Sequence, residues 1–457
     1  MIKRTRNILI IVAVVLLIFT GLIGLGAYSL YSFFSRISSS REIPAEIKDA
    51  RILKGADFLS RREFYKINRE SLLDTIGKSA QVKDEKERQK IVNSQTAKGI
   101  YGFNDLQIFG DEIIAAARFG AYVFDFDGNL KRQILFEPSA EKIKVGSYER
   151  ETYQSNLDNL KIVRFDRDKF GFLSYGSSAG VRIFNADGDQ IWNYGKEDLD
   201  LSVIWSDEKE REERYEKSQS VSAATVGDLD NDGISEYIVA RRNDGIRAFD
   251  GSGNEKWFAP DKSPGNKLEV LDSDNDGKNE LLEIGYETKV FDADGKNLRE
   301  IRGASSDAAI LFSENKNKKK ILIFCGISDR KFVCKDENDN QISENDLPMS
   351  EVPRNKTEKV DVPGHPELSF ENKTENIYSP KAFFVNLEKN RPKFLAVIGS
   401  FSGIPRAIFY LYDNKGNLVY QELLPENAET IAVIPAANGS EDIIIGGKDT
   451  IWRYAAR

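Results

Sequence analysis

From about residue 93 to the C-terminus, apolar and polar residues alternate with a period of two over short runs. Turns rich in Asp, Asn and Gly separate the runs. Several runs end in an aromatic residue that leads directly into such a turn. Tyr122-Val-Phe124 runs into Asp-Phe-Asp-Gly128, Arg182-Ile-Phe184 into Asn-Ala-Asp-Gly188, and Arg247-Ala-Phe249 into Asp-Gly-Ser-Gly253. Lys289-Val-Phe291 runs into Asp-Ala-Asp-Gly295, and Tyr410-Leu-Tyr412 into Asp-Asn-Lys-Gly416. This is the sequence signal of a β-hairpin. The anchor residues fall at 124, 184, 249, 291, 412 and 454, and Cys334 is read into the same slot. Three of the intervals are 42 or 43 residues, and the others are lengthened by insertions.

One complete unit gives the order of its strands. Val221–Val226 is the first strand, and an acidic loop follows it. Glu236–Arg241, Gly245–Phe249 and Glu255–Phe258 are the second, third and fourth. A repeat of 40–45 residues built only of strands and turns predicts an all-β fold, a β-propeller of seven four-stranded blades. The propeller is assigned to residues 93–457. The last unit stops after its third strand, near Tyr454, so a strand around Ile91–Tyr101 is expected to complete it and close the ring. Residues 36–92 do not follow the repeat. Ala56–Ile67 and Ser71–Ile76 read as a short helical stalk. Two large insertions, about Gly195–Ser218 and Pro348–Ser379, fall between units. The first is expected to be a solvated helical turn and the second a loop without regular structure.

Residues 1–35 form a separate segment. Lys3, Arg4 and Arg6 precede an uncharged stretch whose apolar core, Ile8 to Tyr28, would span about 30 Å as a helix. The charge bias keeps the N-terminus in the cytoplasm and places the remainder outside it, periplasmic or extracellular, as a single-pass membrane protein. A cleaved signal peptide has a shorter apolar core and a small-residue cleavage site. Beyond residue 35 the chain holds 62 of the 65 basic residues and all 73 acidic ones, a net charge of −11. Such a surface opposes nucleic-acid binding, which needs a basic patch.

Two acidic loops stand 44 residues apart. The first is Asp228-Leu-Asp230-Asn-Asp232-Gly-Ile234-Ser-Glu236 and the second Asp272-Ser-Asp274-Asn-Asp276-Gly-Lys278-Asn-Glu280. Carboxylates at positions 1, 3, 5 and 9, with a backbone carbonyl at position 7, offer a hard cation five oxygens. Ca²⁺ is therefore expected, one ion per loop, held by Asp228, Asp230, Asp232, the Ile234 carbonyl and Glu236, and by Asp272, Asp274, Asp276, the Lys278 carbonyl and Glu280. An EF-hand is excluded because position 12 of the first loop is Val239, within a strand-like run. Asp166-Arg-Asp168 and Asn386–Asn390 occupy equivalent places without the full ligand set.

The pattern Asp-x-Asp-x-Asp-Gly-x-x-Glu ahead of a strand, in repeats of this length, resembles the FG-GAP or VCBS repeats of integrin-α-like propellers. The resemblance implies extracytoplasmic calcium sites that stiffen the blades, and recognition of a protein or glycan by the ring. The turns leading to Trp192 and Trp257 also resemble those of quinoprotein-type propellers.

Cys325 and Cys334 flank an expected hairpin. With the turn at Asp329-Arg330 they face each other, and a disulfide is permitted outside the cytoplasm. Two buried free thiols are the alternative. His365 is the single histidine, which argues against a His-based triad or a histidine-ligated zinc. No Gly-rich phosphate loop is present. The expected role is a membrane-anchored, calcium-binding scaffold that is not an enzyme. The competing expectation is a polysaccharide-processing or quinone-dependent enzyme, which would line the central channel with basic and acidic side chains.

Overall fold

The computed structural model describes residues 51–68 and 102–457, apart from 195–220, 302–308, 349–358 and some shorter loop segments. The expected membrane span, the 207–214 charge run and the expected closing strand at Ile91–Tyr101 lie outside the described residues. Among the described residues seven antiparallel blade sheets follow one another along the chain, six of four strands and one of five. Their first strands are Phe103–Phe109, Lys161–Asp166, Val221–Gly227, Lys267–Leu271, Ala309–Glu314, Ile377–Val385 and Ala428–Pro435. The protein is a seven-bladed, all-β propeller.

The strand that completes blade 7 corrects the expected closure. Leu59–Lys66 pairs with Thr450–Ala456 from Leu59↔Ala456 to Lys66↔Thr450. A second N-terminal strand, Arg51–Lys54, adds a fifth strand to the outer edge of blade 6 by pairing with Leu418–Leu423. Both strands lie in the 36–92 segment, and Leu59–Lys66 falls within Ala56–Ile67, the stretch expected to be helical. They are extended because the open outer edges of blades 6 and 7 offer unpaired backbone groups that a helix cannot satisfy. No helix long and apolar enough to cross a membrane occurs among the described residues.

The insert expected to lack regular structure contains a hairpin, Lys359–Val362 paired with His365–Glu371. A further hairpin, Ser139–Val145 with Tyr148–Gln154, joins blades 1 and 2. Both emerge from the face that carries the blade-to-blade connections.

The anchor residues Phe124, Phe184, Phe249, Phe291 and Tyr412 mark the end of their third strands, and the turn beyond them explains their recurrence. In blade 3, Asp250 Oδ1 accepts the amides of Ser252 and Asn254 at 2.9 and 2.8 Å, and Gly253 takes φ +87°. The same arrangement recurs at Asp125, Asp292 and Asp413. In blade 5, Asp336 Oδ1 accepts the amides of Asn338 and Asn340. The residue before that Asp is Lys335, so Lys335 holds the anchor slot and Cys334 sits one place earlier. The pattern Phe332-Val-Cys334 points to Cys334 instead because this turn lacks the glycine that fixes the count elsewhere. Cys334 lies opposite Cys325 in the ladder, and their sulfurs are 2.09 Å apart.

The turn glycine also serves the contact between blades. A Cβ on Gly253 would lie 2.6 Å from Nε1 of Trp192, which belongs to the outer strand of blade 2. A Cβ on Gly295 would lie 2.6 Å from the ring of Trp257 in the outer strand of blade 3. Trp257 in turn donates its Nε1–H to the Ala293 carbonyl at 2.8 Å. Phe64, from the closing strand of blade 7, approaches Gly128 of blade 1 in the same way, and a Cβ on Gly128 would lie 3.2 Å from its ring. An outer-strand side chain thus seats on the next blade's turn, including across the ring closure.

Gly295→Ala should therefore destabilise the protein by about 2–4 kcal/mol, combining the left-handed φ of +78° with displacement of Trp257. Gly277→Ala, at φ +88° with open space around it, should cost only the backbone part, about 1–2 kcal/mol. Equal effects in denaturant titrations would remove the tryptophan from this account.

Candidate metal centre

Both acidic loops connect the first and second strands of their blades, Val221–Gly227 to Glu236–Arg241 in blade 3 and Lys267–Leu271 to Glu280–Ile284 in blade 4. The loops are therefore equivalent and adjacent on one rim. Each is built by its own carboxylates. Asp228 Oδ2 accepts the Gly233 amide at 3.0 Å, and Asp272 Oδ2 accepts the Gly277 amide at 3.2 Å. Gly233 and Gly277 take φ near +89° and +88°, which lets each loop reverse. The last carboxylate of each loop reaches back to position 2. Glu236 Oε2 accepts the Leu229 amide at 2.7 Å, and Glu280 Oε2 accepts the Ser273 amide and hydroxyl at 2.8 Å. Both glutamates are buried.

Oxygens of Asp228, Asp230 and Glu236 converge to within 4.8 Å of one another, as do those of Asp272, Asp274 and Asp276. Asp232 stands outside the first group, and its Oδ1 accepts the Ile234 amide at 2.7 Å. Glu280 stands outside the second. Ile234, whose carbonyl was expected as a ligand, has an exposed side chain packed over Gly251. Lys278 is exposed and its amide bonds Asp276 at 2.8 Å. Each converging set holds three of the five expected donors, all oxygen, which suits Ca²⁺ or Mg²⁺ better than a softer metal.

The two loops differ in one respect that spacing in the sequence does not show. Lys256, from the outer strand of blade 3, places its ammonium 2.5 Å from Asp230 Oδ2 and 3.0 Å from Glu236 Oε1. It holds the Asp230 carboxyl below the usual range by hydrogen bonding and charge. Burial works against the charge of Lys256, but the two carboxylates outweigh it and raise its pKa. Ladder register puts Leu298, half exposed at 51%, at the corresponding position of blade 4. There Arg299, one residue further on, donates to Ser273 Oγ at 3.2 Å. The loops are also tied to each other. Asn279 donates its amide nitrogen to Asn231 Oδ1 at 2.9 Å and its side-chain nitrogen to the Asp228 carbonyl at 2.6 Å.

A second charged region lies on the propeller axis. A cavity of about 550 Å³ is lined mainly by the first strands of blades 1, 2, 3, 4, 6 and 7. Lys161, Lys267 and Lys381 line it, with Asp105, Glu269 and Glu429.

The sequence matches no family model. No curated protein matches it either. Among solved structures, the chain is similar to BBS1N in its complex with ARL6DN, in crystals soaked with lead or with mercury. The lead-soaked structure has TM-score 0.44 and 8% identity, over 79% of this chain and 94% of that one. The mercury-soaked structure has TM-score 0.42 and 9% identity, over 79% and 93%. The WD40 domain of Neurospora crassa Pan2 has TM-score 0.39 and 10% identity, over 78% and 89%. At these levels the likeness carries nothing about chemistry or partners.

Proposed function

We propose that the chain is a membrane-anchored propeller of the FG-GAP or VCBS type, with calcium-stiffened blades, that acts outside the cytoplasm as a protein- or glycan-binding scaffold. The observation that supports calcium most directly is the convergence of three carboxylates at the same point of two neighbouring blades. Membrane anchoring rests on the apolar segment after Arg6, and the scaffold role on the absence of a histidine-based catalytic set from the sequence.

The second loop is the stronger cation site on this reading, because Lys256 already neutralises part of the first. Calcium bound to the folded loops raises stability by linkage. Saturating Ca²⁺ should raise the melting temperature of the full-length protein in detergent, and EDTA should reverse the gain. Asp274→Ala should remove the tighter binding event in a calcium titration. Lys256→Met should strengthen the weaker one by about tenfold, since it frees Asp230 and Glu236. A melting temperature indifferent to both calcium and EDTA would defeat the calcium part.

The charged cavity favours a second reading, a polysaccharide-processing or quinone-dependent enzyme. Binding of pyrroloquinoline quinone or cleavage of an acidic glycan by the purified protein would establish it.

A further inference from the structure

The axial cavity is more specifically arranged than a charge count suggests. Register within each blade allows positions on different first strands to be matched. Asp105, Lys267 and Lys381 pair with Ala116, Ile284 and Ile398. Those partners stand three residues beyond the residues that face the anchor positions, Ile113↔Phe124, Leu281↔Phe291 and Leu395↔Tyr412. Asp105, Lys267 and Lys381 are therefore at one level of the channel. By the same count Gln107, Lys161 and Glu269 lie two residues nearer the acidic-loop rim. The three lysines come from blades 2, 4 and 6, so they enter the cavity from three sides in two adjacent layers.

The carboxylates in the cavity are partly engaged by the chain itself, and the charges of Asp105 and Glu269 also act on Lys161 and Lys381. Asp105 accepts the Ile162 amide at 2.9 Å and the Gln107 side chain at 3.1 Å. Glu269 lies 3.4 Å from Lys267. Lys161 stands over the Tyr175 ring at 5.1 Å. Lys381 makes no ion pair with a described residue. Lys381 is exposed, but partial desolvation in the channel, then the like charges of Lys267 and Lys161, pull its pKa below the usual lysine range against the opposing charges of Asp105 and Glu269. Asn104 is also among the lining residues, and its side-chain nitrogen is buried without a hydrogen-bond acceptor. Apolar walls are supplied by Leu106, Val163, Leu173 and Phe383. Like charges that act on one another across the cavity favour an anion bound between them. The volume suits a small organic molecule.

We infer that the axial cavity is a binding site for a small organic polycarboxylate, its carboxylates held by Lys161, Lys267 and Lys381 and its body by the apolar walls. The site rests on the cavity alone. It requires neither the calcium loops nor a catalytic step.

The test is calorimetric titration of the full-length protein in detergent and calcium-free buffer, with benzene-1,3,5-tricarboxylate as the probe. Three carboxylates around a small apolar ring offer one anion to each of the three lysines. One molecule should bind per chain. Lys381→Met should weaken binding by at least about tenfold, Lys381→Arg should largely retain it, and Lys131→Met on the outer rim should leave it unchanged. The melting temperature of each variant reports whether it is folded. Absence of binding by the parent protein up to about 5 mM would overturn the assignment. So would unchanged affinity in a folded Lys381→Met variant. Calcium-dependent melting is read in a separate experiment, so failure there leaves this result standing.

Discussion

Removing residues 51–68 should abolish the closed ring. A protein lacking them should lose its cooperative thermal transition, or melt at least about 15 °C lower, and should self-associate. The segment supplies the fourth strand of blade 7 and the fifth of blade 6. Leu59 and Ile67 are buried at 1% and 3% exposure. Phe64 and Tyr65 pack on Phe124 of blade 1 with ring centroids 5.7 and 4.7 Å away, and Phe58 packs on Phe394 of blade 6 at 5.6 Å. Each such side chain contributes about 1.5–3 kcal/mol when fully buried, and the whole fold is stable by only about 5–15 kcal/mol. Part of that contribution is offset by the entropy of ordering the segment. Its loss still exposes the third strand of blade 7, with Trp452 and Tyr454, as an unpaired apolar edge. A synthetic peptide covering residues 50–68, added in excess, should partly restore the transition. A deletion variant that melts within about 2 °C of the parent would show that blade 7 needs no partner strand.

The blades are legible in the sequence and the closing strand is not, because each gets its information from a different distance. The third strands announce themselves because a local device repeats. The anchor residue, the Asp that caps the turn and the left-handed Gly all lie within a few residues of one another. The closing strand has no such device. Its partner is almost 400 residues away, and its outward positions Arg61, Arg62 and Glu63 interrupt the alternation. Apolar residues at 58–59 and 64–65 then mimic a mixed helical pattern. At the candidate metal centre, the spacing of the acidic loops reveals the carboxylates because they bond within their own nine residues. Lys256 has no such signal, since it reaches Asp230 from an outer strand two turns later. The axial lysines are each one polar position in an alternating strand. Only the ring brings blades 2, 4 and 6 to a common axis, although counting ladder positions from the anchors would have put Lys267 and Lys381 at one level.

The second large effect is expected at a single ion pair in the same closure. Arg61 in the closing strand pairs through Nη1 with Glu422 Oε1 of blade 6. The Glu422 side chain is 1% exposed, and the Tyr420 hydroxyl donates to its other oxygen at 2.7 Å. Arg61 is 30% exposed, so the guanidinium bridges from solvent to a buried anion. Breaking a buried pair from one side leaves the other charge without compensation. Arg61→Met should therefore destabilise the protein by about 2–4 kcal/mol, somewhat less than for a wholly buried pair because water can reach the arginine side. Adding Glu422→Gln should recover about half of that loss, since a neutral amide tolerates burial better than an unpaired carboxylate. Denaturant titrations of the four proteins give the coupling directly. If Arg61→Met costs less than about 0.5 kcal/mol, the pair behaves as a surface contact. The hold of the N-terminal segment on blade 6 would then rest on the Arg51–Lys54 ladder and the packing of Phe58 alone.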